Sequence, residues 1–139
     1  MCVPGQPPTS PATADEALSA ISAGLSYLNG ADPADLTSVE QASCLRALEQ
    51  AQALHTVARA RVLRAFEARC GYEDDGCGSP RTWLKAQCQM TSGAAGVAVG
   101  WMRRLAARPA VAEALAAGEV SESWARVICD WCDQLPAAA

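Results

Sequence analysis

The sequence predicts an all-α fold: a multi-helix bundle with one long central helix and a helix-turn-helix-like second half. Three observations carry that prediction. Half of the 139 residues are hydrophobic yet only 5% are aromatic, and Ala, Leu and Arg recur without the β-branched and aromatic runs that favour strands, so helix is the cheaper backbone state almost throughout. Apolar positions step by three and four along most of the chain. Cap-forming residues and Gly or Pro stops punctuate it at helix-length intervals. A chain of this length supports one core better than two, so a single helical domain over residues 14–136 is expected.

Residues 1–13, MCVPGQPPTSPAT, hold four Pro and, apart from Val3, no side chain able to anchor a core. They read as a disordered lead-in. From Ala14, the spacing of Leu18, Ile21, Leu25 and Leu28 places these residues on one helix face, Asn29-Gly30 ends the helix and Asp32-Pro33 opens a connector. Thr37 and Ser38 precede Glu40 and Gln41 at capping-box spacing, which starts a long helix. No Pro or Gly interrupts the chain again until Gly71, and Leu45, Leu48, Ala51, His55, Ala58, Val62 and Phe66 form the expected inward stripe. A helix of that length needs a partner, and the first and third helical regions are the natural ones.

His55, the single histidine, lies in that stripe without a second ligand or acid at a matching offset, so it reads as a core histidine rather than a metal or catalytic group. Arg59, Arg61, Arg64 and Arg69 crowd the end of the long helix. Favourable placement against the helix dipole competes there with a phosphate-contacting patch. The acidic loop Tyr72-Glu73-Asp74-Asp75-Gly76-Cys77-Gly78 lacks the alternating spacing of a calcium loop and reads as a solvated turn.

Ser79 caps a short helix with Pro80 in its first turn and Trp83, Leu84 and Cys88 as its apolar positions. A turn at Met90-Thr91 leads to a longer helix with the stripe Ala95, Ala98, Val99, Met102 and Leu105. The outline is a helix-turn-helix, but the second helix opens Ser92-Gly93-Ala94-Ala95-Gly96 and offers nothing to read base edges. Gly93, Gly96 and Gly100 share one face, which predicts the close approach of another backbone, that of the long helix, and a badly destabilising Gly96→Leu. Arg103, Arg104 and Arg108 end this helix. Pro109 starts a short helix over Ala110–Ala117 that Gly118 stops, and Ser121 caps a last helix with Trp124, Val127, Ile128, Trp131 and Leu135 on one face. Cys129-Asp130-Trp131-Cys132 has a metal-like or redox-like spacing, but it lies in the last turns of a helix and lacks a second close pair.

Charge is unevenly spread. Residues 1–45 carry −5, residues 46–108 carry +5 with ten of the eleven bases, and residues 109–139 carry −4. Any contact with an anionic polymer therefore falls to the middle. The seven Cys are an odd number at irregular spacing, with no signal peptide before them. Reduced thiols in a cytoplasmic protein are expected. No apolar run approaches the length of a membrane span.

Several of these pieces follow one another in a specific order: the long Ala-, Leu- and Arg-rich helix ending at Gly71, Ser79 with Trp83-Leu84, Ala95 through Leu105, and Pro109. The segment Ala114-Leu115-Ala116-Ala117-Gly118-Glu119-Val120-Ser121, then Ala125-Arg126-Val127-Ile128 and Leu135-Pro136, complete the series. Over about residues 37–136 the chain resembles the actinobacterial domain of unknown function 222, the helical region that commonly precedes an HNH nuclease module in a mycobacterial repeat family. The resemblance implies an accessory domain rather than an enzyme. The nuclease module, with the histidines and Asn that would bind a divalent cation and activate water, is expected beyond Leu135-Pro136, so this chain is expected to be a fragment, a shortened form or a stand-alone relic. The Cys load is heavier than the resemblance leads one to expect.

The resulting expectation is a noncatalytic helical accessory domain that contacts nucleic acid through Arg59, Arg61, Arg64, Arg103, Arg104 and Arg108. It needs no cofactor or metal and has no catalytic residue, and its partners are nucleic acid, a nuclease module or a second copy, not a membrane. The alternative is a helical protein-protein interaction or dimerisation module without nucleic-acid binding.

Overall fold

The computed structural model describes residues 9–136, and among them there are six α-helices and no strand. The all-α expectation holds. Residues 1–8 of the expected lead-in lie outside the described residues. The chain divides between Cys44 and Leu45 into two compact units.

The first unit opens with helix α1, Ala14–Gly30. Thr13 caps it: its hydroxyl accepts the N–H of Glu16 at 3.2 Å, and the Glu16 carboxylate accepts the N–H of Ala12 at 2.8 Å. Leu18, Ile21, Leu25 and Leu28 recur at the expected helical spacing, but they are 39–61% exposed. No residue of α1 is buried. A 3-10 turn, Pro33–Asp35, follows, with the Asp32 carboxylate accepting the N–H of Ala34 at 3.0 Å. The predicted capping box then forms: Glu40 accepts the Thr37 N–H at 2.7 Å, and the Thr37 hydroxyl accepts the Glu40 N–H at 3.3 Å. It starts helix α2, Ser38–Ala68.

The second unit holds the rest of α2, a 3-10 turn at Gly71–Asp75, and helices α3 (Pro80–Gln87), α4 (Ser92–Ala107), α5 (Pro109–Ala116) and α6 (Glu122–Gln134). Its core is centred on α4, which buries Ala95, Ala98, Trp101, Met102 and Leu105. Around them lie Ala53, Val57, Ala60 and Leu63 of α2, Leu84 of α3, Leu115 of α5 and Ala125 of α6. Helices α3 and α5 lie closest along α4, while the small residues of α2 and α6 share one core with the large Trp101 and Met102 of α4. Ser79, Thr91 and Ser121 each accept the N–H of the residue three places on, so the start of each of these helices is a local hydrogen-bonded cap.

Two expectations fail here. Of the inward stripe expected for α2, Phe66 does pack against the core, but Leu45 and Val62 are 66% and 70% exposed, and Leu48, Ala51, His55 and Ala58 are exposed as well. The buried residues are Ala53, Thr56, Val57, Ala60 and Leu63, centred about 135° round the helix from the expected stripe at 100° per residue. His55, predicted in or beside the core, is exposed.

Helix α2 closes just before Cys70-Gly71, the pair expected to end it, and it is Cys70 rather than Gly71 that takes the left-handed conformation, with φ of 51°. Gly71 is small for another reason. A Cβ at that position would lie 2.4 Å from the Phe66 ring, and Phe66 is held by Trp83 with ring centroids 4.7 Å apart. The Trp83 indole N–H in turn donates to the Asp75 carboxylate at 2.7 Å, so the acidic turn positions an aromatic cluster.

Candidate interaction surfaces

The sequence places any anion contact on the basic residues. Arg61 and Arg64 are exposed on α2 and Arg59 is half-buried. Arg103 pairs with Glu67 at 3.4 Å. Arg104 reaches Asp130 at 2.9 Å and Asp133 at 3.9 Å, and Arg108 meets Asp133 at 2.5 Å. The two carboxylates belong to α6, in the acidic last segment. The competition between helix dipole and phosphate therefore has a third participant: α6 supplies the anion. The proximity of Cys132 first, and then of Asp133, also holds the Arg108 guanidinium more firmly in its charged form.

These same contacts set the rotation of α6. At its start, the Glu122 carboxylate accepts from the Thr56 hydroxyl at 3.1 Å and from the Gln52 amide at 2.9 Å. Thr56 is the buried polar residue of the core, and this bond satisfies it. Ala125 and Cys129 are buried in the middle of α6, and Asp130 and Asp133 engage α4 and its end near the C-terminus of the helix. Every anchor lies on one side. The apolar face is consequently turned outward, with Trp124 and Trp131 each 61% exposed, Leu135 69% exposed, and Val127 and Ile128 half-buried.

The glycine seam is likewise open. A Cβ at Gly93 or Gly100 would meet nothing within 4 Å, and at Gly96 the nearest atom is the Arg81 guanidinium at 3.5 Å. No backbone approaches this strip, contrary to expectation. It forms instead one wall of a shallow groove of about 390 Å³, lined by Gly93, Gly96, Val97, Gly100, Trp101 and Arg104 of α4 and by Arg126 and Asp130 of α6. The Arg81 side chain donates to the Ser92 carbonyl and hydroxyl at 3.1 and 2.8 Å, which holds it beside Gly96.

Cys129 is fully buried, and burial above all pushes its thiol pKa up, the opposite of what an activated thiol needs. Among the described residues no group of three His, Cys, Asp or Glu is placed to hold a metal ion. Nor is any helix among them long and apolar enough to cross a membrane. No family model, curated protein or solved structure matches the chain. The carboxylate partners of Arg104 and Arg108, and the Glu122 clamp on Thr56, were not legible in the sequence. The only signal for them was the excess of acid after Pro109.

Proposed function

We propose that the chain is a noncatalytic helical accessory module, of the kind implied by its resemblance to the region preceding HNH nuclease modules, and that it acts by docking a protein on the outward face of α6. The observation that carries this reading is the pair of half-open indoles, Trp124 and Trp131, on a helix whose rotation is held by polar anchors behind it. Tryptophan is enriched where interfaces gain most of their energy, and an apolar strip of this extent is rarely left to water. An environment-sensitive apolar dye should bind the purified chain, and Trp131→Glu should remove that binding without lowering the melting temperature.

Nucleic-acid contact is the second reading. Arg59, Arg61 and Arg64 make no ion pair among the described residues, which favours it. Titration with duplex DNA in low salt separates the two. The first reading expects no complex, and no strand scission when a divalent cation is added. A complex that weakens as salt rises and is lost in Arg59→Ala/Arg61→Ala/Arg64→Ala establishes the second reading instead. Cleavage of the DNA would end both.

A further inference from the structure

We infer that the occupant of the α6 face is a second copy of the same helix, packed antiparallel across a two-fold axis that passes between Val127 and Ile128. The inference rests on the docking reading above and names its partner.

The spacing along α6 supports self-pairing. Trp124, Val127, Ile128 and Trp131 are symmetric in sequence about the midpoint of Val127 and Ile128. At 100° per residue that midpoint also lies at the centre of the apolar face. A dyad there sets Trp124 of one copy against Trp131 of the other and packs Val127 and Ile128 beside their own equivalents. Each apolar side chain meets another, as an isologous contact requires.

Charge supports it too. Glu122, Asp130 and Asp133 lie round the other side of α6, engaged with Thr56, Arg104 and Arg108. The face therefore carries no charge by which to select a charged partner, and none that would repel its own copy, although the chain as a whole is −4.

Area sets the strength. Each indole is 61% exposed, on the order of 150 Å² apiece for a side chain of this size. With Leu135 and the open parts of Val127 and Ile128, two copies would cover about 1,000 Å² in total, the lower bound for a specific contact. A contact this small is a weak one, at or beyond the micromolar end of the range seen for standard-size interfaces.

Sedimentation equilibrium of the full chain under reducing conditions, over about 1 to 500 µM so as to span the micromolar range, tests this. Wild type should pass from monomer to dimer, with a blue shift in tryptophan emission as Trp124 and Trp131 leave water. Trp124→Glu and Trp131→Glu should each weaken association by at least tenfold with helicity unchanged, whereas Val62→Glu, on an exposed part of α2, should leave it as it was. A wild-type chain that stays monomeric throughout, or a dimer that survives both Trp variants, overturns the inference. In the monomeric case the dye experiment still distinguishes the two ideas: dye binding lost in Trp131→Glu preserves docking to a different protein, and dye binding indifferent to Trp131 removes the docking reading as well.

Discussion

Glycine at position 71 and glycine at position 100 look alike in the sequence and do opposite things in the fold. At Gly71 a methyl group would strike the Phe66 ring at 2.4 Å, and Phe66 cannot retreat without disturbing Trp83. Gly71→Ala should therefore cost about 1–3 kcal/mol, the usual range for overpacking. At Gly100 the same methyl meets nothing, so Gly100→Ala removes only the backbone freedom of a mid-helix glycine and should stabilise by about 1 kcal/mol. Urea denaturation of the two variants checks both signs. Cys70→Gly belongs to the same set: a left-handed residue that is not glycine carries a steric cost on the order of 1 kcal/mol, and relieving it should raise stability. The sequence marked Gly93, Gly96 and Gly100 as one strip correctly, but spacing cannot say what stands opposite a missing Cβ.

At the scale of elements, the decisive quantity is rotation. Helix α2 has two plausible apolar sides, and the one that packs is Ala53, Val57, Ala60 and Leu63 because Trp101 and Met102 of α4 fill the same core. Ala60→Leu should then destabilise by about 1–3 kcal/mol, while Leu48→Ala, at a position 40% exposed, should cost well under the ~2–5 kcal/mol of a core truncation. Thermal melts of this pair distinguish the two sides directly. Helix α6 is oriented through Glu122, and Glu122→Ala would strip the buried Thr56 hydroxyl of its acceptor, at a cost of about 1–3 kcal/mol. The start of α2 makes a pH-dependent prediction. Hydrogen bonds from the Thr37 backbone and then its side chain favour ionised Glu40 and hold its pKa below the ordinary glutamate value. Its contribution to stability is thus complete above the unfolded pKa of about 4.3 and is lost as pH falls through the lower folded value. Glu40→Gln should flatten the acid limb of the melting curve in that window. The capping box behind this effect was visible in the sequence, because all its partners lie within four residues.

For the whole molecule, the balance of charge matters more than its sum. The basic middle and the acidic last segment were counted separately in the sequence, and the fold brings parts of them together: Arg104 and Arg108 are occupied by Asp130 and Asp133. Ion pairs that water still reaches add little to stability, so their larger consequence is to withhold two cations from any passing anion. Asp130→Asn/Asp133→Asn should therefore barely change the melting temperature, and under the nucleic-acid reading it should raise affinity for duplex DNA in low salt and steepen the salt dependence by about two units of log-log slope. An electrophoretic shift series at several salt concentrations reads this out. If the double variant binds no more tightly than wild type, the pairs are not what limits the basic surface.

What the sequence determined by itself was where each helix begins and ends. Thr37 with Glu40, Ser79, Ser121, Pro109 and Gly118 act on their own few neighbours, and local interactions of that kind do not wait for a fold. Only the tertiary structure decided which side of each helix is buried. In Ala-rich helices both sides satisfy the periodicity, since alanine is acceptable in a core and at a surface alike, and the choice passes to the volume and the polar partners presented by helices far away in sequence.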